Sequence, residues 1–136
     1  MENFGLTFHH LGLAVTKPEK SVQFLGGIGY HIQESIYDPL QNVNLIMCTA
    51  KHAPDIEIVY PHTSPSVIHT LLNKKGEGLY HSCYTTESLQ KTLDVFRQQA
   101  IRIMTIQAPL PALLFENRQV SFYLVQGFGM IEILEI

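Results

Sequence analysis

Apolar residues along this chain fall in short, strand-length runs separated by Gly, Pro and polar clusters, with helical spacing in three places. Residues 8–15, F-H-H-L-G-L-A-V, predict a strand. Thr16-Lys17-Pro18-Glu19 then offers a capping hydroxyl and a proline suited to a first helical turn. Val22 and Leu25 make a short apolar helix face, stopped by Gly26, Gly27 and Gly29. Strands are predicted over 30–35, 42–48 and 55–60, with turns at Asp38-Pro39 and around 52–55. Residues 67–72 have helical spacing and lead into K74-K75-G76-E77-G78, a polar glycine-containing linker. The order then repeats. A strand over 79–84 and a cap at Thr85 or Thr86 precede a helix over 87–99, in which Leu89, Leu93 and Phe96 form one stripe. Residues 101–104, 119–124 and 130–135 predict strands, and Pro109-Leu110-Pro111-Ala112 predicts an irregular connection. Each half thus runs strand, helix and three strands, a period of about 70 residues carried by pattern rather than identity.

Composition narrows the function classes. A chain of 136 residues, 46% apolar, buries a core without disulfides or metal staples. The net charge of −3 argues against nucleic acid or an anionic membrane as partner. No apolar run is long enough to span a bilayer, and Met1–Gly5 is acidic, unlike a secretion signal. Cys48 and Cys83 both fall in predicted strands and read as free thiols, so a cytoplasmic location is expected.

Two glutamates interrupt apolar closing strands: Glu57 in D-I-E-I-V and Glu132 in M-I-E-I-L. A carboxylate there is costly unless it is solvated, hydrogen-bonded or bound to a cation. His10 precedes Glu57 by 47 residues, and His81 precedes Glu132 by 51. Two equivalent halves would each supply one histidine from an opening strand and one glutamate from a closing strand. Taken singly, such glutamates usually face solvent and such histidines are usually satisfied by hydrogen bonds. Together, two imidazoles and two carboxylates suit a divalent ion such as Zn²⁺, Mn²⁺, Co²⁺ or Ni²⁺. His9 points away from His10 and reads as structural.

H10-L11-G12-L13-A14-V15, G78-L79-Y80-H81-S82-C83-Y84, N117-R118-Q119-V120-S121-F122 and G129-M130-I131-E132-I133-L134-E135 resemble segments of the vicinal oxygen chelate (glyoxalase/bleomycin resistance/dioxygenase) superfamily. The match is closest to its methylmalonyl-CoA epimerase branch. The resemblance implies an α+β fold of paired βαβββ modules whose sheets curve around a metal-binding cleft. It implies one domain, 1–136, with modules 8–60 and 79–135 joined by a helical linker, 61–78. It places the metal ligands on His10, Glu57, His81 and Glu132, with one divalent ion (Co, Mn, Zn, Ni or Mg) as cofactor. It also implies a homodimer.

The activity so implied is epimerisation or isomerisation by proton abstraction next to a thioester or ketone carbonyl, on a small molecule such as an acyl-CoA. Glu132 and Asn44 are the expected catalytic positions. Asn44 stands where the epimerases carry a glutamate, and an amide cannot accept the proton. A metal-bound water or Tyr37 is then the alternative second base. A lactoylglutathione lyase of the glyoxalase I type and a small-molecule-binding or antibiotic-resistance module are the competing readings. Arg118 is a candidate anion contact, and Lys74 and Lys75 are equally explained as a solvated linker.

Overall fold

Nine strands and three α-helices form among the residues described by the computed structural model, 2–63 and 65–136. They group into two compact units, one of His10–Tyr80 and one of His81–Ile136 with the residues up to His9.

The first unit holds β1 (Thr7–Ala14, from His10 onward), α1 (Glu19–Gly27), β2 (His31–Ile32), β3 (Ile36–Asp38), β4 (Val43–Thr49), β5 (Ile56–Pro61) and α2 (Val67–Lys75). β1 runs parallel to β5, and β4 lies antiparallel to β5. β2 and β3 pair with successive stretches of β4. Val22 and Leu25 of α1 pack on Ile46, Cys48, Ile58 and Val15, one face of this sheet. Fully burying side chains of this size contributes about 1.5–3 kcal/mol each. α1 starts at Pro18 with no side-chain cap. The Thr16 hydroxyl expected there is not used, and the Thr16 amide instead donates to Glu77 Oε2 at 2.8 Å. Helix α2 is capped by Ser66, whose Oγ accepts from the His69 amide. It stops at Gly76, whose φ of +77° favours glycine.

Of the strand expected over 30–35, only His31–Ile32 forms, as β2, and β3 begins beyond it at Ile36. Gln33, Glu34 and Ser35 between β2 and β3 are exposed and carry no apolar side chain to bury. Asp38 closes β3 as a turn residue, its buried carboxylate accepting from the Leu40 and Gln41 amides and from Gln41 Nε2.

The second unit holds β6 (Gly78–Thr86, from His81 onward), α3 (Leu89–Gln98), β7 (Ile103–Ala112), β8 (Arg118–Val125) and β9 (Gly129–Glu135), in sheet order β6-β9-β8-β7. The expected stripe holds: Leu89, Leu93 and Phe96 pack on Tyr123, Ile131 and Ile133. The cap is Ser88 rather than either threonine, with its Oγ accepting from the Lys91 amide. Thr86 is buried beneath that turn, where its Oγ1 accepts from the Ser88 amide and meets Thr92 Oγ1 at 3.0 Å. Thr92 Oγ1 lies 2.9 Å from the Phe4 carbonyl oxygen and ties the N-terminal turn to α3.

Residues 109–112 are not irregular, since β7 runs through both prolines to Ala112. As the last strand in its sheet order, β7 pairs only with β8, and its register shifts between Thr105 and Leu110. An edge strand with such shifts tolerates residues lacking an N–H. Neither cysteine forms a disulfide and both are buried, Cys48 beside Ile46 and Ile58, and Cys83 beside Val120 and Leu134. No described helix is long and apolar enough to cross a membrane.

Candidate functional site

In the first unit, parallel pairing sets Gly12 opposite Glu57 and Ala14 opposite Val59. Side chains alternate along a strand, so His10 lies on the same face as Glu57, one pleat away. The histidine is fully buried and Glu57 is 3% exposed, with His10 Nε2 3.7 Å from Glu57 Oε1. α1 covers the other face of this sheet, through Ile46 and Ile58.

The second unit repeats this offset. Cys83 stands opposite Glu132 in the parallel β6–β9 pair, and His81 lies two residues before Cys83. Both are buried, and His81 Nε2 lies 3.1 Å from Glu132 Oε1. Phe122, opposite Glu132 on β8, sets its ring edge-on to His81 with centroids 5.3 Å apart. It was not among the sequence candidates, although its alternation with Val120 and Leu124 puts it on the glutamate face. The signal lay in the strand pattern, without a polar atom to draw attention to it.

Each pair therefore holds a neutral-capable imidazole nitrogen and a carboxylate oxygen away from water. Desolvating a carboxylate costs several kcal/mol unless a cationic partner or hydrogen bonds compensate. A protonated histidine or a divalent cation supplies that compensation, and the nitrogen–oxygen donor set fits borderline divalent ions. The residues present thus fit a metal.

Asn44 does not share this face. It pairs with Tyr60 and Tyr37, in the set that includes Ile46 and Ile58, whereas Met47 is the β4 residue opposite Glu57. Its side-chain amide donates to the Pro61 carbonyl, and its Oδ1 meets His62 Nδ1 at 3.3 Å. Tyr37, the alternative base, lies on Asn44's face and stacks on His62, with ring centroids 3.9 Å apart. Of the β4 residues on the Glu57 face, Val43, Leu45 and Met47 are buried and apolar, and Thr49 at the strand end carries only a hydroxyl, which is not a base at neutral pH. β4 therefore offers no proton acceptor there. The sequence could not show this, because V-N-L-I-M-C is apolar on both faces and its alternation is unreadable.

The remaining candidates have contacts of their own. His9 packs edge-on against Phe115, with centroids 5.6 Å apart. Tyr60 Oη is 2.7 Å from Ser35 Oγ, and Tyr84 lies in the core under α3. Lys74 and Lys75 are exposed in the last turn of α2, where the helix dipole favours cations. Arg118 is exposed at the start of β8.

Known proteins share this architecture. A methylmalonyl-CoA epimerase from Mycobacterium tuberculosis superposes with a TM-score of 0.79 at 18% identity, covering 99% of this chain and 91% of its own. A Streptomyces coelicolor methylmalonyl-CoA epimerase variant, in complex with 2-nitronate-propionyl-CoA, gives 0.74 at 18% identity over 96% and 97% of the two chains. Such identities establish a shared fold and no more. A Bacillus subtilis (strain 168) relative, "Uncharacterized protein YqjC", is 28% identical over 98 residues, which is 70% of this chain and 68% of the relative. The family model described as "Glyoxalase/Bleomycin resistance protein/Dioxygenase superfamily" matches residues 9–122, a span that contains His10, Glu57 and His81. With the doubled strand–helix–strands pattern and the epimerase-like fold, that match makes this chain a member of the glyoxalase/bleomycin resistance/dioxygenase superfamily.

Proposed function

We propose that this protein is a metal-dependent enzyme that moves a proton next to a thioester or ketone carbonyl, with methylmalonyl-CoA epimerase as its model. The observation that carries this reading is the repeated register: in both units a buried histidine sits one pleat from a buried glutamate on paired parallel strands. A structural histidine needs no such duplication. We assign His10, Glu57, His81 and Glu132 to a single divalent ion, so that each module supplies half of the ligand set. A divalent ion held by these four residues would supply Lewis-acid stabilisation of the negative charge that develops on the carbonyl oxygen. Glu132 is assigned the proton at its carboxylate.

The structural neighbours named as methylmalonyl-CoA epimerases, one in complex with a propionyl-CoA analogue, support a small acyl-CoA as substrate. A homodimer belongs to the same proposal: β7 is an edge strand with exposed Met104 and Ile106, which suit further burial.

The apolar β4 face favours a second reading. Epimerisation needs a proton removed from one side and returned on the other, and Val43, Leu45 and Met47 supply no second base. A one-sided transfer, as in a lyase of the glyoxalase I type, asks for only one. The assay is solvent deuterium incorporation into methylmalonyl-CoA and related 2-substituted thioesters with added Co²⁺ or Mn²⁺, read by mass spectrometry. Incorporation that Glu132→Gln abolishes is the expected result. No incorporation, alongside conversion of the glutathione hemithioacetal of methylglyoxal, would replace the epimerase reading with the lyase.

A further inference from the structure

On the Glu132 face of the second unit, one polar side chain takes no part in the histidine–glutamate pair. Gln107 of β7 stands opposite Phe122 of β8, and Phe122 stands opposite Glu132 of β9. Residues directly opposite in an antiparallel ladder project to the same side, so Gln107, Phe122 and Glu132 form one row across three strands. The amide nitrogen of Gln107 is closed off from solvent, yet it has no hydrogen-bond partner among the described residues. A shielded donor without an acceptor is costly, and folded proteins keep few of them.

A bulge puts it there. From Ile103 to Thr105 the β7–β8 register is unbroken, with Ile103 opposite Val125 and Thr105 opposite Tyr123. Continued unchanged, that register would set Ile106 opposite Phe122. A one-residue shift after Thr105 gives the place to Gln107 instead, and Ile106 is left exposed. The shift exchanges an apolar side chain for a polar one on the Glu132 face, as bulges beside functional sites do when they re-aim a side chain. Packing alone gives no reason for that exchange. On one side of the row the face is closed by buried Val120. On the other, Met104 and Leu124 lie opposite each other and both are exposed, so a small molecule can reach the row from that end.

We infer that Gln107 is a specificity-determining residue, its amide N–H donating to a substrate oxygen on the side away from Glu132. The inference rests on the proton transfer proposed above, with Glu132 at the reacting carbon. Strands two apart are separated by roughly 10 Å, so the acceptor belongs to a substituent of that carbon and not to the atoms at the carboxylate. The ligand class follows from the donor: a small acyl compound with a carboxylate, hydroxyl or keto oxygen on its 2-substituent. The same compound with a methyl group in that place leaves the donor unpaired and is disfavoured.

The test pairs two ligands with two variants, in titration calorimetry of the Co²⁺-loaded chain. Methylmalonyl-CoA should bind more tightly than isobutyryl-CoA, in which a methyl group replaces the carboxylate. Gln107→Met, of similar length but with no donor, should weaken methylmalonyl-CoA at least tenfold and leave isobutyryl-CoA unchanged. Gln107→Glu, which adds a negative charge in place of the donor, should weaken methylmalonyl-CoA further. Without ligand, Gln107→Met should keep or raise the urea midpoint, because it removes an unpaired donor from a shielded place. A lowered midpoint, or equal losses for both ligands, would make Gln107 structural and overturn the inference, while deuterium exchange by the parent would leave the activity standing. A parent that binds neither ligand and exchanges no deuterium would end the proposed activity and this inference together.

Discussion

The two modules keep the same histidine–glutamate offset while differing almost everywhere around it. In the second, α3 begins with a Ser88 cap and a Leu89 amide donating to Glu135 Oε2 at 2.8 Å. In the first, α1 begins at Pro18 with neither. The outer strand of the second module, β7, runs ten residues, whereas its counterpart is split into β2 and β3 with three exposed residues between. The inner parallel pairs, β1–β5 and β6–β9, hold the offset in both. Register between two buried parallel strands cannot slip by one residue without turning every side chain to the wrong face. Outer strands and helix starts have no such constraint and are free to diverge.

The largest expected effect tests whether the two pairs act as one. His10→Ala and His81→Ala should each lower Co²⁺ or Zn²⁺ affinity on the order of 10³-fold, about 4 kcal/mol. Titration calorimetry should give one ion per parent chain. Two ions per chain, or a loss confined to one module's variants, would break the symmetry and the single-site reading together.

Core truncation compares the modules more directly. Ile58 and Ile133 are both essentially inaccessible, one in each core. Ile58→Ala and Ile133→Ala should each cost about 2–5 kcal/mol in urea unfolding, through lost burial and a residual cavity. Loss of one unit's transition alone would show that the modules unfold separately.

The thiols offer a pH test in the first module. Burial raises Cys48 from 9.0 to about 11. The native thiol therefore keeps its proton where the unfolded one has lost it. Its contribution to stability is fully present below pH 9 and falls away as pH rises towards 11. Cys48→Ala should flatten that alkaline decline, measured as unfolding midpoint against pH.

The smallest effect concerns the caps. Ser88→Ala should cost about 1 kcal/mol, by loss of the bond to the Lys91 amide. Thr16→Ala should change thermal stability by no more than about 0.5 kcal/mol, because its hydroxyl caps no helix. An equal loss in both variants would mean that the helix starts are more alike than their hydrogen bonds indicate.

Local pattern by itself determined the doubled strand and helix order, the buried stripe of α3 and the position of two histidines and two glutamates within apolar strands. These depend on periodicity and on residues whose cost in an apolar strand is visible without knowing the neighbours. Tertiary structure alone decided the rest. Asn44 turned to the α1 side because its register with Tyr60, rather than its own strand's pattern, sets its face. β7 kept its prolines because an edge strand has one hydrogen-bonding side to spare. Ser88 displaced two nearby threonines as the cap because Thr86 was already buried against Thr92. In each case a partner distant in sequence chose between local options of similar free energy, and residue order does not name that partner.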